Sequence, residues 1–208
     1  MKKKLVVFSG AGISAESGLG TFRASDGLWE KHNIEDVATP QAWVKNQRLV
    51  QEFYNQRRIS CLNATPNNAH VTLKELEKHF DVQIITQNID DLHERAGSTN
   101  VLHLHGDITK AKCSICNDNV YYEIPDGTLT IEDKCPKGHP LRPHVVWFGE
   151  EVPMIDTAME ICKTADIFLI IGTSLNVYPA SNLKSYTSKL AKKYIIDPEP
   201  ILGISNEF

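Results

Sequence analysis

L-V-V-F-S-G-A-G-I-S-A, residues 5–15, joins an apolar run to a glycine-rich turn near the start of the chain. Residues 5–9 predict a short buried strand, and Gly10, Ala11 and Gly12 follow it directly. This G-x-G-x-x-A pattern after a strand is typical of loops that bind a pyrophosphate, because glycine allows a tight turn and a close backbone approach. An ordinary strand-to-helix turn has the same pattern, so the rest of the chain must decide between the two.

Apolar runs recur along the chain and alternate with helical patterns. The further strand candidates are residues 82–86, 101–104, 145–148, 166–171 and 194–196. The helix candidates are residues 67–80, 153–165 and 179–193. Continuous apolar runs are typical of parallel strands that are covered on both faces. The alternation therefore predicts an α/β fold with a Rossmann-like, doubly wound parallel sheet.

Two stretches interrupt this alternation. One is helix-rich, and the other contains three cysteines and many turn residues. We interpret them as insertions that form a smaller zinc-binding and helical domain. The predicted Rossmann-like domain is discontinuous and comprises residues 1–30, 67–106 and 143–208. The helical insertion comprises residues 31–66 and the zinc-binding insertion residues 107–142.

Composition argues against several classes of protein. The 208 residues carry a formal net charge of −4, which does not favour nucleic acid or an anionic membrane surface as a partner. The apolar run after the N-terminal lysines is too short for a signal peptide, and no run of eighteen apolar residues predicts a membrane span. Five cysteines, an odd number, favour a reducing compartment over a disulfide framework. We expect a cytoplasmic protein in which Cys61 and Cys162 are buried packing residues.

The other three cysteines have metal-ligand spacing. Cys113 and Cys116 form C-x₂-C, and Cys135 follows after 18 intervening residues. Gly138 stands where a fourth cysteine would complete the common zinc pattern, and His139 is the substitute next to it. We predict one structural Zn²⁺ held by Cys113, Cys116, Cys135 and His139. The open alternatives are a three-cysteine remnant with weak zinc or none, and a redox C-x-x-C without a thioredoxin-like context.

A hydride-transfer dehydrogenase does not fit the region after the glycine loop. Such an enzyme places a second strand that ends in an acidic residue about 20 residues onward. Residues 21–29 read T-F-R-A-S-D-G-L-W, which is polar and not strand-like. A dinucleotide here is therefore held in a different way.

The whole stretch G-A-G-I-S-A-E-S-G-L-G-T-F-R, residues 10–23, closely resembles the NAD-binding signature of sirtuins. Five further segments agree in order: residues 86–90, 104–106, the cysteine cluster, residues 145–150 and residues 172–174. The resemblance covers nearly the whole chain. It implies that NAD lies between the large and the small domain, and that acylated lysine side chains of proteins enter from the opposite side. In the family the acyl oxygen attacks the ribose carbon as nicotinamide leaves, and the products are free lysine and O-acyl-ADP-ribose.

The resemblance also assigns roles to residues. His105 matches the general base, since an imidazole titrates near neutral pH. His103 is two residues away and would face the same side of a strand, so a purely structural histidine is the alternative. Asn88 and Asp90 complete the catalytic set, although either could instead cap a helix. The implied cofactor contacts are Gly10, Ala11, Gly12, Ala15, Phe22, Arg23, Trp29, Gln87, Asn88, Ile89, Asp90, Gly172, Thr173 and Ser174.

The acyl group is indicated by Tyr54 and Arg57, which share one helix face. This Y-x-x-R resembles the pair in sirtuins that prefer succinyl and malonyl groups, and Ala15 is small where bulk would narrow the acyl channel. A tyrosine hydroxyl and a guanidinium can together bind a carboxylate. The alternative is a solvated Arg57/Arg58 pair beside a half-buried tyrosine. For the substrate peptide the resemblance implies an added strand against Val145, Trp147, Phe148 and Gly149.

The sequence therefore predicts a monomeric NAD-dependent protein-lysine deacylase. It acts on acetyl groups and also on succinyl or malonyl groups. Two other functions stay open. A mono-ADP-ribosyltransferase would use the same cofactor with another nucleophile, and an NAD-sensing domain would have no catalytic activity.

Overall fold

The computed structural model describes residues 2–21, 33–124 and 127–198. The strands are β1 (Lys4–Ser9), β2 (Asp81–Thr86), β3 (Val101–His103), β4 (Gly106–Cys113), β5 (Tyr121–Glu123), β6 (Leu141–Val145), β7 (Ile167–Ile171) and β8 (Lys192–Ile196). The α-helices are α1 (Ile34–Val37), α2 (Pro40–Lys45), α3 (Gln47–Asn63), α4 (Asn68–Leu76), α5 (Leu92–Arg95) and α6 (Ile155–Lys163). Two 3₁₀ helices span Ala11–Ser17 and Ala180–Tyr186.

Five parallel strands form the large sheet in the order β3-β2-β1-β7-β8. The apolar side chains of β1 alternate between its two faces. Leu5 and Val7 pack with Leu73 of α4 on one face, whereas Val6 and Phe8 pack with α6 on the other. This confirms the doubly wound α/β prediction. The strand order reverses at β1, and the carboxyl ends of β1 and β7 meet where such sheets bind ligands.

A second, antiparallel sheet has the order β5-β4-β6. Its register shifts between Gly106 and Ala111, which bends β4 away from regular pairing with β6. A small cluster of buried residues lies beneath this sheet and includes Cys113 and Cys135. The two sheets match the predicted large and small modules, while the domain boundaries themselves stay a prediction.

Local side chains fix where the helices begin. The Thr39 hydroxyl accepts the Ala42 N–H at 3.0 Å, and Pro40 is the first residue of α2. Asn67 begins α4 with a capping box in which the His70 ring accepts the Asn67 N–H at 3.3 Å. Helix α3 is long, and Asn46 caps it by accepting the Leu49 N–H at 3.1 Å.

Helix α3 is also bound to the small sheet by a polar stripe. The Arg58 side chain is fully buried, and its Nε donates to the Ile108 carbonyl at 2.6 Å within the irregular part of β4. Asn55 exchanges two hydrogen bonds with the backbone of Leu129. Gln51 donates to the Leu141 carbonyl at 2.9 Å. Arg58 is thus not a solvated surface residue, and that part of the alternative interpretation is wrong.

Two predicted elements differ from the structure. Residues 145–148 are not a strand of the parallel sheet, because β6 ends at Val145 within the small sheet. Their apolar character has another cause: Trp147 is 2% exposed and packs near Trp43 and Tyr54. Residues 179–193 are not one helix. The 3₁₀ helix ends at Tyr186, and the next residue, Thr187, has extended backbone angles and donates its hydroxyl to the Lys184 carbonyl.

No helix in the described part of the chain is both long and apolar enough to cross a bilayer.

Candidate active site

The glycine loop lies directly against the turn that follows β7. The Gly10 N–H donates to Ile171 O at 3.1 Å, and the Gly12 N–H donates to Gly172 O at 2.8 Å. A Cβ on Gly12 would lie 2.8 Å from Gly172 Cα, and a Cβ on Gly172 would collide with the Ile13 nitrogen. Gly172 also has a φ of +61°, which favours glycine. These glycines are therefore required by the close contact of two turns at the sheet's switch point.

A buried polar cluster forms beside this loop. The Asn88 amide donates to Ser14 Oγ at 3.1 Å, and the Ser14 hydroxyl donates to an Asp90 carboxylate oxygen at 3.1 Å. Burial raises the pKa of Asp90, while hydrogen bonds from Leu92 N–H and Ser14 act in the opposite direction. Asp90 also accepts the Leu92 N–H at 3.2 Å, but the N-cap residue of α5 is Asp91, so Asp90 is not the helix cap. Asn88 makes no such bond and instead faces Ser14.

Gln87 connects this cluster to the turn after β7. Its amide Nε2 donates to Thr173 Oγ1 at 2.9 Å, and its backbone N–H donates to Ser9 O at 2.9 Å. The amide and carboxyl groups of residues 87–90 therefore lie at the carboxyl ends of β1, β2 and β7. Such groups suit the hydroxyl and carboxamide groups of a nicotinamide dinucleotide.

His105 is held in the tautomer that a base requires. Its Nδ1 lies 3.0 Å from the Gln87 carbonyl, which can only accept, so Nδ1 carries the proton. Nε2 is then the proton-accepting nitrogen, because the one ring hydrogen bond that His105 makes with a described residue involves Nδ1. Burial lowers the pKa of His105, although the bond to Gln87 partly opposes this. The ring is therefore neutral at pH 7 and able to take up a proton.

His103 differs from His105 in a decisive way. Its Nδ1 lies 2.9 Å from the Asn88 carbonyl, and its Nε2 lies 2.8 Å from a Glu94 carboxylate oxygen. Both partners accept, so both ring nitrogens carry protons and His103 has no free lone pair. The sequence could not separate these two histidines by chemistry, whereas their hydrogen bonds do.

Tyr54 and Arg57 lie on α3, as the Y-x-x-R spacing predicts. Tyr54 is 4% exposed, and burial raises its pKa to about 12. Arg57 is half-buried, with its guanidinium 5.8 Å from the centre of the Phe53 ring. Burial lowers the pKa of Arg57, and the guanidinium forms no ion pair among the described residues. A half-buried cation that forms no ion pair within residues 2–21, 33–124 and 127–198 is suited to an anionic ligand.

Residues 146–150, which follow β6, include one buried aromatic side chain that is held by an ion pair and one aromatic side chain that is exposed. Arg142 donates to both oxygens of Glu150 at 2.6 and 3.0 Å and lies 3.2 Å from the centre of the Trp147 ring. Glu150 also accepts the Trp147 N–H at 2.8 Å. Trp147 is therefore part of the core, whereas Phe148 is 45% exposed. Sequence reasoning missed Arg142, although a basic residue just before the matched segment was visible.

The backbone of this segment limits how a peptide could pair with it. The N–H groups of Val146 and Phe148 donate to His105 O and Ala38 O. With the Trp147 N–H bound to Glu150, the carbonyls of Val146 and Phe148 and the N–H of Gly149 are the groups that form no hydrogen bond with the described residues. Gly149 has a φ of +89°, which turns the chain at this point.

Four side chains meet in the predicted metal centre. The ligand atoms of Cys113, Cys116, Cys135 and His139 all lie within 4.8 Å of one another. Cys113 Sγ lies 3.6 Å from Cys135 Sγ, and Cys116 Sγ lies 3.3 Å from His139 Nδ1. Tetrahedral zinc with its usual bond lengths places sulfur atoms about 3.8 Å apart and sulfur and nitrogen about 3.6 Å apart. The donor set and its spacing fit one Zn²⁺, with His139 in place of a fourth cysteine.

Three predicted cofactor residues, Phe22, Arg23 and Trp29, lie outside the described residues. Of the others, Ala11 and Ser174 are half-buried and Ala15 is exposed on the 3₁₀ helix after the glycine loop. Ile89 is half-buried and packs against the cluster that contains Tyr54.

Two buried histidines beneath the polar cluster make stability depend on pH. His70 and His93 are fully buried with ring centres 4.9 Å apart, and burial lowers their pKa values to about 4 and about 3. The unfolded chain takes up protons near pH 6.5, so stability is present above that pH and is lost as pH falls towards 4. We expect a loss on the order of 3 kcal/mol from each histidine between pH 7 and pH 4.

Urea unfolding at pH 7, 5 and 4 measures this loss. His70→Gln keeps an N3 side chain that suits the capping box, so its loss on acidification is expected to be smaller by about 3 kcal/mol. His79→Gln, at an exposed position, is the control. If His70→Gln and wild type lose the same free energy of unfolding, the assigned role of His70 is wrong.

The family model, the curated relatives and the solved structures that match this chain all belong to the same family. Residues 10–179 match the model of the Sir2 family. An NAD-dependent protein deacylase of Aggregatibacter actinomycetemcomitans is 56% identical over 206 residues, which cover 99% of this chain and 98% of that protein. A solved Sir2 homologue in complex with NAD superimposes with a TM-score of 0.87 at 42% identity, covering 97% of this chain and 80% of that one. A Sir2 complex with a deacetylated p53 peptide and 3′-O-acetyl ADP ribose gives a TM-score of 0.80 at 31% identity, covering 97% and 84%.

Proposed function

The chain belongs to the Sir2 family and is an NAD-dependent protein deacylase. From this premise we propose which residues perform catalysis and which bind the substrate. His105, Asn88 and Asp90 perform the chemistry, and Tyr54 and Arg57 select acyl groups that end in a carboxylate. The observation that carries the proposal is the neutral His105 ring, whose Nε2 is left available beside the polar cluster of residues 87–90.

NAD would bind at the carboxyl ends of β1, β2 and β7, where the glycine loop and the polar groups of residues 87–90 meet. When bound, it supplies the ribose carbon that accepts the acyl oxygen and releases nicotinamide. Gly10, Ala11, Gly12, Gly172, Thr173 and Ser174 would hold the phosphate and adenosine portions. Gln87, Asn88, Ile89 and Asp90 would hold the nicotinamide and its ribose, with Ala15 nearby and Phe22, Arg23 and Trp29 as further contacts.

The hydrogen bonds within the site support these roles, because they leave particular atoms of Asp90, Asn88 and His105 for the ligand. Asp90 has no ion-pair partner among the described residues, so its carboxyl group can accept hydrogen bonds from a ligand. Asn88 is fixed by Ser14, which leaves its amide oxygen to face the ligand or an ordered water. His105 Nε2 can accept a proton from a hydroxyl because the Gln87 carbonyl keeps the other nitrogen protonated.

The acylated lysine would approach along residues 145–149. Val145, Trp147, Phe148 and Gly149 form the substrate segment, and the network of Arg142 and Glu150 fixes its shape. Main-chain pairing gives little selectivity for sequence, so many protein substrates are expected. The zinc centre would be structural, because four protein ligands leave no open position for water.

Mass spectrometry of acetyl-lysine and succinyl-lysine peptides, with and without NAD, tests the proposal. NAD-dependent loss of both groups is the expected result. If label passes from NAD to protein without loss of acyl groups, the chain is an ADP-ribosyltransferase instead. If folded protein binds NAD and does neither, an NAD-sensing role replaces catalysis.

Arg57→Met is expected to lower kcat/KM for desuccinylation by about tenfold to a hundredfold, because a charge-assisted hydrogen bond to the terminal carboxylate is lost. Deacetylation should change by less than about threefold, since an acetyl group presents no carboxylate to this residue. Steady-state kinetics on matched peptides measures both. Arg48→Met makes the same change at an exposed position of α3 and serves as the control. Equal losses for the two acyl groups would contradict the assignment.

A further inference from the structure

Two histidines hold consecutive carbonyl groups of the same cofactor segment. His105 donates to the Gln87 carbonyl at 3.0 Å, and His103 donates to the Asn88 carbonyl at 2.9 Å. The side chains of Asn88 and Asp90 extend to Ser14 from this segment. A shift of either carbonyl would therefore displace the groups assigned to NAD.

His103 has a second partner that His105 lacks. Its Nε2 donates to a Glu94 carboxylate oxygen at 2.8 Å, so α5 and the segment after β2 are joined through one imidazole ring. Burial alone would lower the pKa of His103, but Glu94 and the Asn88 carbonyl together raise it. The ring is the doubly protonated form in this geometry, because both nitrogens face acceptors.

The contribution of this pair to stability is small. The Glu94 side chain is 42% exposed and the His103 side chain 16% exposed, and pairs of this kind contribute about 0–1 kcal/mol. The pair nevertheless has a fixed position, because the other end of the ring is bound to the Asn88 backbone. The location of this pair is therefore better explained if the pair positions residues 87–90 than if it stabilises the fold.

We propose that His103 is a positioning residue for NAD: clamped by Glu94, its doubly protonated ring holds the Asn88 carbonyl and so keeps residues 87–90 in their binding geometry. The positive ring also favours the ionised form of Asp90. This inference rests on the proposed roles of Asn88 and Asp90. It assigns no step of the chemistry to His103.

Other titratable groups surround the ring and must be considered in any pH profile. They are Glu94 and His93 on α5, Asp90 after β2, Asp107 on β4 and His144 on β6. Burial lowers the pKa of His93 to about 3 and of His144 to about 4, so both stay neutral near pH 7. As pH rises through the pKa of His103, its charge and the second ring donor are lost and NAD binding should weaken.

Glu94→Gln is the sharpest test. Glutamine can still accept the Nε2–H, but it removes the carboxylate charge that keeps His103 protonated. At a pH between the pKa of His103 in Glu94→Gln and its pKa in wild type, we expect the KM for NAD and the Kd for ADP-ribose to rise about threefold to tenfold, because a charge-assisted hydrogen bond becomes a neutral one. The KM for peptide should stay within about twofold. Glu75→Gln is the control, because it makes the same change on α4 in an exposed ion pair with Lys78, which follows the helix.

His103→Phe removes both ring donors and should raise the Kd for ADP-ribose about tenfold or more. NMR titration of the ring protons, assigned by their absence in His103→Phe, gives the pKa of His103 directly. It should lie above 6.5 in wild type and fall in Glu94→Gln. In Glu94→Gln, the alkaline limb of the pH profile of kcat/KM for NAD should move to lower pH by as much as the pKa of His103 falls. The acid limb, which His105 sets, should not move.

The outcomes separate this inference from the proposed function. If wild type shows no NAD-dependent loss of acyl groups, the proposed function is wrong. Calorimetry with ADP-ribose then still tests whether Glu94 and His103 position the NAD-binding residues. If wild type is active and Glu94→Gln leaves the Kd for ADP-ribose and the alkaline limb unchanged, the positioning role is wrong. Should His103→Phe fail to fold, Glu94→Gln alone decides, because it keeps the ring and its hydrogen bonds.

Discussion

Replacing His105 by alanine is expected to lower kcat for NAD-dependent deacylation by about 10²- to 10⁴-fold, the contribution typical of a positioned general base. The reason lies in one hydrogen bond. The Gln87 carbonyl at 3.0 Å fixes the proton on Nδ1 and leaves Nε2 to accept another. The KM for NAD should change little, since the ring acts on a proton and not as a binding group.

The pH dependence gives a second measure of the same residue. Because burial lowers the pKa of His105, the neutral, active form should persist below pH 6.5, and kcat should fall only as pH drops further. His79→Ala, at an exposed histidine, is the control and should retain wild-type kinetics. A kcat for His105→Ala within tenfold of wild type would remove His105 from the role of base.

Loss of zinc should have the other large effect. Cys135→Ala is expected to eliminate the roughly one equivalent of zinc per chain and to unfold the small antiparallel sheet. Structural zinc contributes on the order of 10 kcal/mol in small modules, which is comparable to the whole stability of a domain. The cluster of buried residues beneath this sheet is small, so packing alone cannot replace the metal.

Metal analysis, near-ultraviolet circular dichroism and deacylation assays on the same preparation measure this loss. Cys162→Ala is the matched control, because Cys162 is equally buried but packs in the large core, away from the metal centre. It should keep its zinc and most of its activity. A folded, active and metal-free Cys135→Ala protein would contradict the structural role and favour a redox or remnant C-x-x-C.

The centre of the parallel sheet could be predicted from the sequence because its central strands are apolar on both faces. Residues 5–8 and 167–171 are continuous apolar runs, and they lie in the adjacent strands β1 and β7. The same signal failed at residues 145–148. There Val145 and Trp147 pack in a tertiary cluster, and a linear pattern does not distinguish burial in a sheet from burial beside a helix.

The candidate site was predictable in its residue types but not in its hydrogen bonds. His103 and His105 have the same chemistry in the sequence, and only their partners Glu94 and Gln87 distinguish an occupied ring from an available one. Arg57 and Arg58 are likewise adjacent and identical. Helical geometry directs Arg58 to the β4 backbone, whereas Arg57 forms no ion pair with any residue that the structure describes, and no local pattern reveals this difference.

Helix α3 has two rows of functional side chains on its surface, and the rows lie about a quarter of a turn apart. Gln51, Asn55 and Arg58 bind the backbone of the small module, while Tyr54 and Arg57 belong to the neighbouring row. For protein engineering, we expect that the acyl selectivity proposed for positions 54 and 57 can be altered while positions 51, 55 and 58 keep their bonds to the small module. A replacement at position 54 must also fill the buried space that Tyr54 occupies beside Trp147.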